Sequence, residues 1–441
     1  VSWSRDDADT GRTPGARRRR ATTRRRRAVT RRRGDPDRPR RRLGPRPWLA
    51  ARWGLDPSAL PAAEGEERHA SWLELFFDLV FVLALLAVQN RLHGSTPSYG
   101  EILQAAGLYA VVWGSWAGQA FYDTRFDPDD AAHRLAVLVG MLGAAGMAIG
   151  AEEAPDTLLL PLGYLVVRGT LLALYLRVRG ISPNARRLTT VYLTGFGLGS
   201  LLWAVSLALP VPLRPVLWIV GLVIELLTPW VGQRWLVRHP VHPLHLPERI
   251  GQFTIILLGV SLTDVLDAVP ARPSMADVGV AIAAFAIPAS VWWVYTTLIT
   301  VGLSVRRLHA GAGYSAVHGP FGAALLLLGW ALGQIVREIE AHSPELPGVL
   351  RLLVAASLGI WMLCGLALQR ISLGHLPPSR IAATAVGVAL VVLVPAATPS
   401  PTLILPLLAV AVICHAVVVA QMIMRLGAER PSTVRAPPAG G

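Results

Sequence analysis

Residues 67–88 read ERHASWLELFFDLVFVLALLAV. From Trp72 onward the run is apolar enough to enter a bilayer, yet Glu74 and Asp78 stand inside it one helical turn apart. On a helix, Glu67, Ser71, Glu74, Asp78 and Gln89 fall close to one face, while Phe76, Leu79, Phe81 and Leu83 point elsewhere. The stretch therefore predicts a membrane helix with a polar seam. Asp78 lies about 9 Å along the axis from Trp72 at ~1.5 Å per residue. Glu74 can reach an interface from there, and Asp78 cannot. Two carboxylates at i and i+4 repel and need a cation between them. Arg168 stands in the middle of a later apolar run, GYLVVRGTLL, and Arg68 and Arg249 stand at helix entries. A mid-membrane Arg costs at least about 2.5–3.5 kcal/mol without a partner or water. The expected arrangement is a buried cluster of Glu74, Asp78 and Arg168, which either locks helices together or binds or relays a cation or proton.

The rest of the chain agrees with a membrane protein. Of 441 residues, 53% are hydrophobic and only 16% are charged, against roughly 25% charged in a soluble domain. Apolar runs recur at about 72–92, 100–122, 131–152, 157–177, 187–209, 213–236, 249–269, 276–300, 314–338, 348–371, 379–397 and 402–425. The fold class is all-α, a polytopic transmembrane helix bundle of about twelve spans. With the N-terminus inside, Arg-rich loops fall on the inner side and acidic residues such as Glu152, Glu153 and Asp156 fall outside. Both termini are then cytoplasmic, in a bacterial inner membrane.

The halves resemble each other. Glu67-Arg68 opens the first span and Glu248-Arg249 the seventh, and VVWGSW at 111–116 matches VWWVYT at 291–296. Six spans is an even number, so the halves would be parallel repeats. The expected division is an Arg-rich tail over 1–63, membrane halves over 64–240 and 241–427, and a short tail over 428–441. Residues 1–47 hold 18 Arg and 5 Asp, nearly all of the net charge of +14. That segment is expected to be disordered and to bind anionic lipid, to bind nucleic acid without specificity, or to lie outside the native protein. No specific nucleic-acid partner is expected.

Together, WLELFFDLVF and HLPERIGQFTIILLG resemble the bacterial low temperature requirement A membrane proteins. The matching positions include Glu67, Arg68, Trp72, Phe76, Phe77, His245, Glu248, Arg249, Gly251 and Gly259. Val260 stands where the family has a Glu, and Asp264 is the candidate substitute one turn on. FFDLVFVLA is also similar to the pore-lining first helix of potassium channels built from two six-helix repeats, with Phe77 in place of a Ser.

Other polar residues inside spans are Glu225, one turn before Pro229; His318, before Gly319-Pro320, as a protonatable gate or a packing residue; Asp264 and Asp267 near the outer face; and His415. His239, His242 and His245 are interrupted by Pro240 and Pro243, so no metal-binding face is expected. GFGLGS at 195–200 follows no strand and reads as a helix-packing stripe. No nucleophile-and-base pattern, phosphate loop or cofactor motif is present, so no enzyme and no cofactor is expected. The expected function is a transporter or channel for a small cation or proton, with Glu74, Asp78, Arg168, Glu225, Asp264 and His318 as path candidates. A path would require Asp78, Glu225 and Asp264 to face one cavity. The alternative is a structural or sensory membrane protein supporting growth in the cold, its charges serving as helix locks.

Overall fold

The computed structural model describes residues 70–428, except 93, 95, 127–129, 237, 243–244 and 303–310. The tail over 1–63, Glu67, Arg68 and residues 429–441 lie outside the described residues.

Twelve long helices follow in order: α1 (Trp72–Gln89), α2 (Tyr99–Phe126), α3 (Ala131–Ala151), α4 (Leu159–Ile181), α5 (Arg186–Ser206), α6 (Arg214–Val231), α7 (His245–Ser261), α8 (Met275–Gly302), α9 (Ala312–Glu340), α10 (Gly348–Leu373), α11 (Pro378–Ala397) and α12 (Pro401–Ala428). After a break at Leu262, α7 continues as a further turn, Thr263–Ala268. No strand occurs among the described residues.

The helix ends follow from local chemistry. Ser71 caps α1 by a capping box: its hydroxyl accepts from the Glu74 N–H, and the Glu74 carboxylate accepts from the Ser71 N–H at 2.7 Å. Asp130 caps α3 by accepting from the N–H groups of Ala132 and His133. Gly374, at φ 71°, ends α10 in the left-handed conformation a Cβ disfavours. Prolines open α11 and α12, where a missing N–H costs nothing.

Eleven of these helices are long and apolar enough to cross a membrane. The exception, α2, has ample length but is too polar by composition. Its second part is enclosed, since from Val111 to Phe126 every residue except Ala117 is buried, whereas Tyr99 and Leu103 near its start are exposed. That stretch, wrapped by other helices, has no lipid face to fill with apolar side chains, so it is free to carry Gln119, Asp123 and Arg125.

Helices α1, α2, α7 and α9 pack against one another at the centre. Helices α3 to α6 attach on the α1/α2 side, and α8 and α10 to α12 on the α7/α9 side. Every neighbour pair among α1–α6 recurs six helices later among α7–α12: α1 with α3 and α7 with α9, α2 with α6 and α8 with α12, and so on. Outward faces are apolar, as at Phe76, Leu79 and Leu83. Phe81, expected on that side, is instead fully buried and rests on Phe77 at 4.5 Å between ring centroids.

Candidate functional site

The α1 carboxylates do find a cation, but it is Arg249. The Arg249 Nη2 lies 2.7 Å from Asp78 Oδ1 and its Nη1 3.3 Å from Glu74 Oε1. His245 Nε2 adds a contact to Glu74 at 3.0 Å, and Trp116 Nε1 donates to Asp78 Oδ1 at 2.8 Å. Asp78 and Arg249 are each 0% exposed. The expected cluster with Arg168 is thereby corrected. Helices α1 and α7 run parallel with their first turns in contact, so the seventh residue of α1 meets the fifth of α7. Arg249 is covered from all sides and does not stand at an interface, as its entry position had indicated. Phe253, one turn along α7, lies tilted against Trp116 with ring centroids 4.2 Å apart.

Arg168 belongs to a second cluster. On α4, it places Nη2 2.6 Å from Glu225 Oε2 of α6, both side chains 1% exposed. Tyr164, one turn before Arg168, donates to Glu225 Oε1. The Phe196 ring of α5 lies 4.8 Å under the guanidinium. The glycines of the GFGLGS stretch make this possible. A Cβ on Gly199 would sit 2.5 Å from Glu225 Oε1, and one on Gly195 would strike Thr228. The stripe is a helix-packing stripe, with a polar pair seated over it.

Arg168 and Glu225 line a cavity of about 440 Å³ bounded by α2, α4, α5, α6 and α9. Its walls set aromatic rings, including Tyr109, Trp113, Phe121 and Trp230, among small residues such as Ala110, Gly114 and Ala316. Pro229 and Pro320, in the interiors of α6 and α9, also line it. Each lacks the N–H that would bond the carbonyl four residues earlier, which turns Glu225 O and Ala316 O into available acceptors.

Asp78, Glu225 and Asp264 do not share this cavity: only Glu225 lines it. Asp264 accepts from Gln89 of α1 near the other end of the seam, and Asp267 is exposed. The expected single path through all three is therefore not formed; each carboxylate is held by its own neighbour. Val260 is half-buried against the apolar core, away from these charges. Both nitrogens of His318 are engaged, Nε2 with Tyr295 Oη at 3.1 Å and Nδ1 with Tyr314 O at 2.8 Å. His415 sits edge-on to Trp361. Of His239, His242 and His245, His245 turns its Nε2 to Glu74, while the His242 ring lies edge-on to the His245 ring at 6.4 Å and accepts from the His245 backbone N–H through Nδ1 at 3.2 Å.

Two polar groupings were missed from the sequence. Asp123 Oδ1 accepts from Gln119 Nε2 and contacts His133 Nε2, both at 2.8 Å, joining α2 to α3. The i, i+4 spacing of Gln119 and Asp123 was its available signal. Arg380, 1% exposed, donates to Gln369 Oε1 at 2.9 Å and to Thr384, with no carboxylate partner among the described residues. At the membrane edge, Asp130 pairs with Arg177 at 2.9 Å. Partial burial opposes its charge, but Arg177 and the N–H groups of His133 and Ala132 outweigh that and hold its carboxyl below the usual range.

A helical bundle with apolar outer faces and ion pairs sealed between its helices is a multi-pass integral membrane protein. Residues 69–420 match the family described as bacterial low temperature requirement A protein (LtrA). The chain belongs to that family. It is also 31% identical over 211 residues to an uncharacterized protein of Rhizobium meliloti (strain 1021), covering 45% of this chain. The matched region spans about half the length (50%) of that relative.

Proposed function

We propose that the chain is a transport or permeation protein of the bacterial inner membrane, coupled to a proton or small cation, with both termini cytoplasmic. One observation carries this reading: a 440 Å³ cavity lined by a buried, oppositely charged pair, Arg168 and Glu225. An ion pair seated in a cavity midway along its helices is costly for a purely structural bundle. It suits a site whose charge balance changes when a solute or proton arrives. The recurrence of neighbour order supports two parallel six-helix repeats, with the cavity beside the interface between them. The Arg-rich tail would hold anionic lipid on the cytoplasmic side.

The α1–α7 cluster favours a second reading. Glu74, Asp78, His245 and Arg249 are paired with one another and sealed, which is what helix locks require. In that reading the protein supports the membrane without moving a solute.

Proteoliposomes decide between them. Proton, potassium and sodium movement would be followed under an imposed gradient for the wild type, Glu225→Gln and Asp78→Asn. Flux that is lost in Glu225→Gln, with folded yield intact, is the expected result. No flux for any of the three ions, with or without added solutes, overturns the transport reading.

A further inference from the structure

The free valences of the cavity define what it takes. Arg168 spends Nη2 on Glu225, and Nε lies 3.3 Å from Tyr164 Oη, but Nη1 has no hydrogen-bond partner among the described residues. Nη1 faces α2, where a Cβ on Gly118 would lie 2.6 Å from it. Tyr109 Oη, also buried on the cavity wall, is likewise without a partner. Glu225 differs in where its open capacity lies: its Oε2, although without a hydrogen bond, is in ion-pair contact with Arg168. Oε1 accepts from Tyr164, and Oε2 sits 2.6 Å from Nη2, off the N–H direction. Oε2 is already covered by Nη2, whereas Nη1 points away from the pair toward α2, so the capacity left for a ligand is that of a donor on a cation, beside aromatic side chains. A buried guanidinium N–H with no acceptor is expensive to leave unmade.

We propose that the cavity binds a small organic acid with an apolar body, its carboxylate on Arg168 Nη1 and its body against Trp113 and Phe121, and that binding is linked to a proton on Glu225. The volume falls in the range of small-molecule sites, about 300–1,000 Å³. An organic cation is disfavoured because Glu225, the only carboxylate lining the cavity among the described residues, already faces Arg168 and Tyr164. The proton linkage follows from charge. Arg168 neutralises Glu225 when no acid is bound, and an arriving carboxylate adds a second anion to one guanidinium. A proton on Glu225 restores neutrality and releases Nη2 to the ligand. The charged and titratable groups facing Glu225 are Arg168 and Tyr164 of α4; α5 presents Gly199. Tyr109 of α2 and Tyr192 of α5 line the same cavity, and α9 contributes small residues such as Ser315 and Gly319. Binding and protonation are then reciprocal, each strengthening the other, by up to about tenfold per pH unit. This inference names the solute for the transport reading and rests on it.

The test is calorimetric titration of the purified full chain in nanodiscs with benzoate, benzylamine and benzyl alcohol at pH 6 and pH 8. Benzoate is expected to bind, and to bind roughly tenfold more weakly at pH 8. Glu225→Gln should bind benzoate equally at both pH values. Ala117→Leu fills the cavity without touching the ion pair, so it should abolish binding while unfolding at the wild-type temperature. That variant keeps the test valid if Arg168→Gln fails to fold. Benzylamine binding in preference to benzoate, or benzoate binding unchanged in Ala117→Leu, overturns the proposal. So does the absence of benzoate binding at both pH values. Ion flux without benzoate binding overturns this inference and leaves the transport reading standing. Pocket-dependent benzoate binding without any flux does the reverse.

Discussion

Replacing Arg249 by Met tests whether the α1–α7 cluster holds the bundle together. The side chain sits between two carboxylates, and the two lose unequally. Glu74 retains His245 at 3.0 Å and the Ser71 N–H at 2.7 Å. Asp78 retains only the Trp116 indole at 2.8 Å, and its Oδ2 has no partner among the described residues. Arg249→Met thus leaves a carboxylate sealed from solvent with one neutral hydrogen bond. Breaking one side of a buried pair costs about 3–5 kcal/mol, a factor of roughly 10² to several 10³ in the folding equilibrium. Asp78→Asn is milder, because Asn still accepts from Trp116 and Arg249 still has Glu74; about 1–3 kcal/mol is expected. Arg249→Met combined with Asp78→Leu removes both charges, so the double variant should recover much of the loss, with a coupling of at least about 2 kcal/mol. Unfolding in mixed micelles, followed by tryptophan fluorescence, measures all three. An Arg249→Met protein within about 1 kcal/mol of wild type, or strictly additive single effects, would refute the lock.

Arg380 should behave in the opposite way: its guanidinium is buried against neutral Gln369 and Thr384, so Arg380→Met removes a desolvated charge and should change unfolding by less than about 1 kcal/mol, or stabilise. Gly199→Ala places a methyl 2.5 Å from Glu225 Oε1 and should cost about 1–3 kcal/mol through displacement of α6, read as lost thermal stability. Asp130 carries a depressed carboxyl, so its stabilising contribution is complete above the ordinary Asp range near pH 4 and fades as pH falls through the folded-state value. Asp130→Ala should therefore lose about 1 kcal/mol at pH 7 and little further as the medium is acidified, whereas the wild type falls toward it; comparing the two unfolding curves at pH 7 and pH 3 checks the sign.

Much of this architecture is legible in one dimension. Apolar run length and the spacing of Arg-bearing loops predict twelve helices because a span must satisfy its own backbone and match the bilayer. Glu74 and Asp78 are recognisable as a buried seam because charged residues in an apolar run have nowhere else to face. The GFGLGS stripe is readable as close packing for the same local reason. Helix α2 is the instructive departure, too polar by composition to face lipid along its length, with its second part wrapped by its neighbours.

Pairing across helices was not legible. Arg249 and Arg168 were both available to the α1 carboxylates, and nothing in their sequence separations, 171 residues for Arg249 and Asp78, distinguishes a partner from a bystander. The sequence by itself determined which segments are helices, which residues could not face lipid, and that the two carboxylates of α1 needed a cation. The tertiary structure alone decided which cation, because that depends on α1 and α7 meeting first turn to first turn. It also decided that Arg168 and Glu225 share a cavity wall with Tyr109 and Trp113. A hydrogen bond acts over about 3 Å, and only the packing of α4 and α6 on α5 brings Arg168 and Glu225 within that reach, with α2 and α9 closing the cavity beside them.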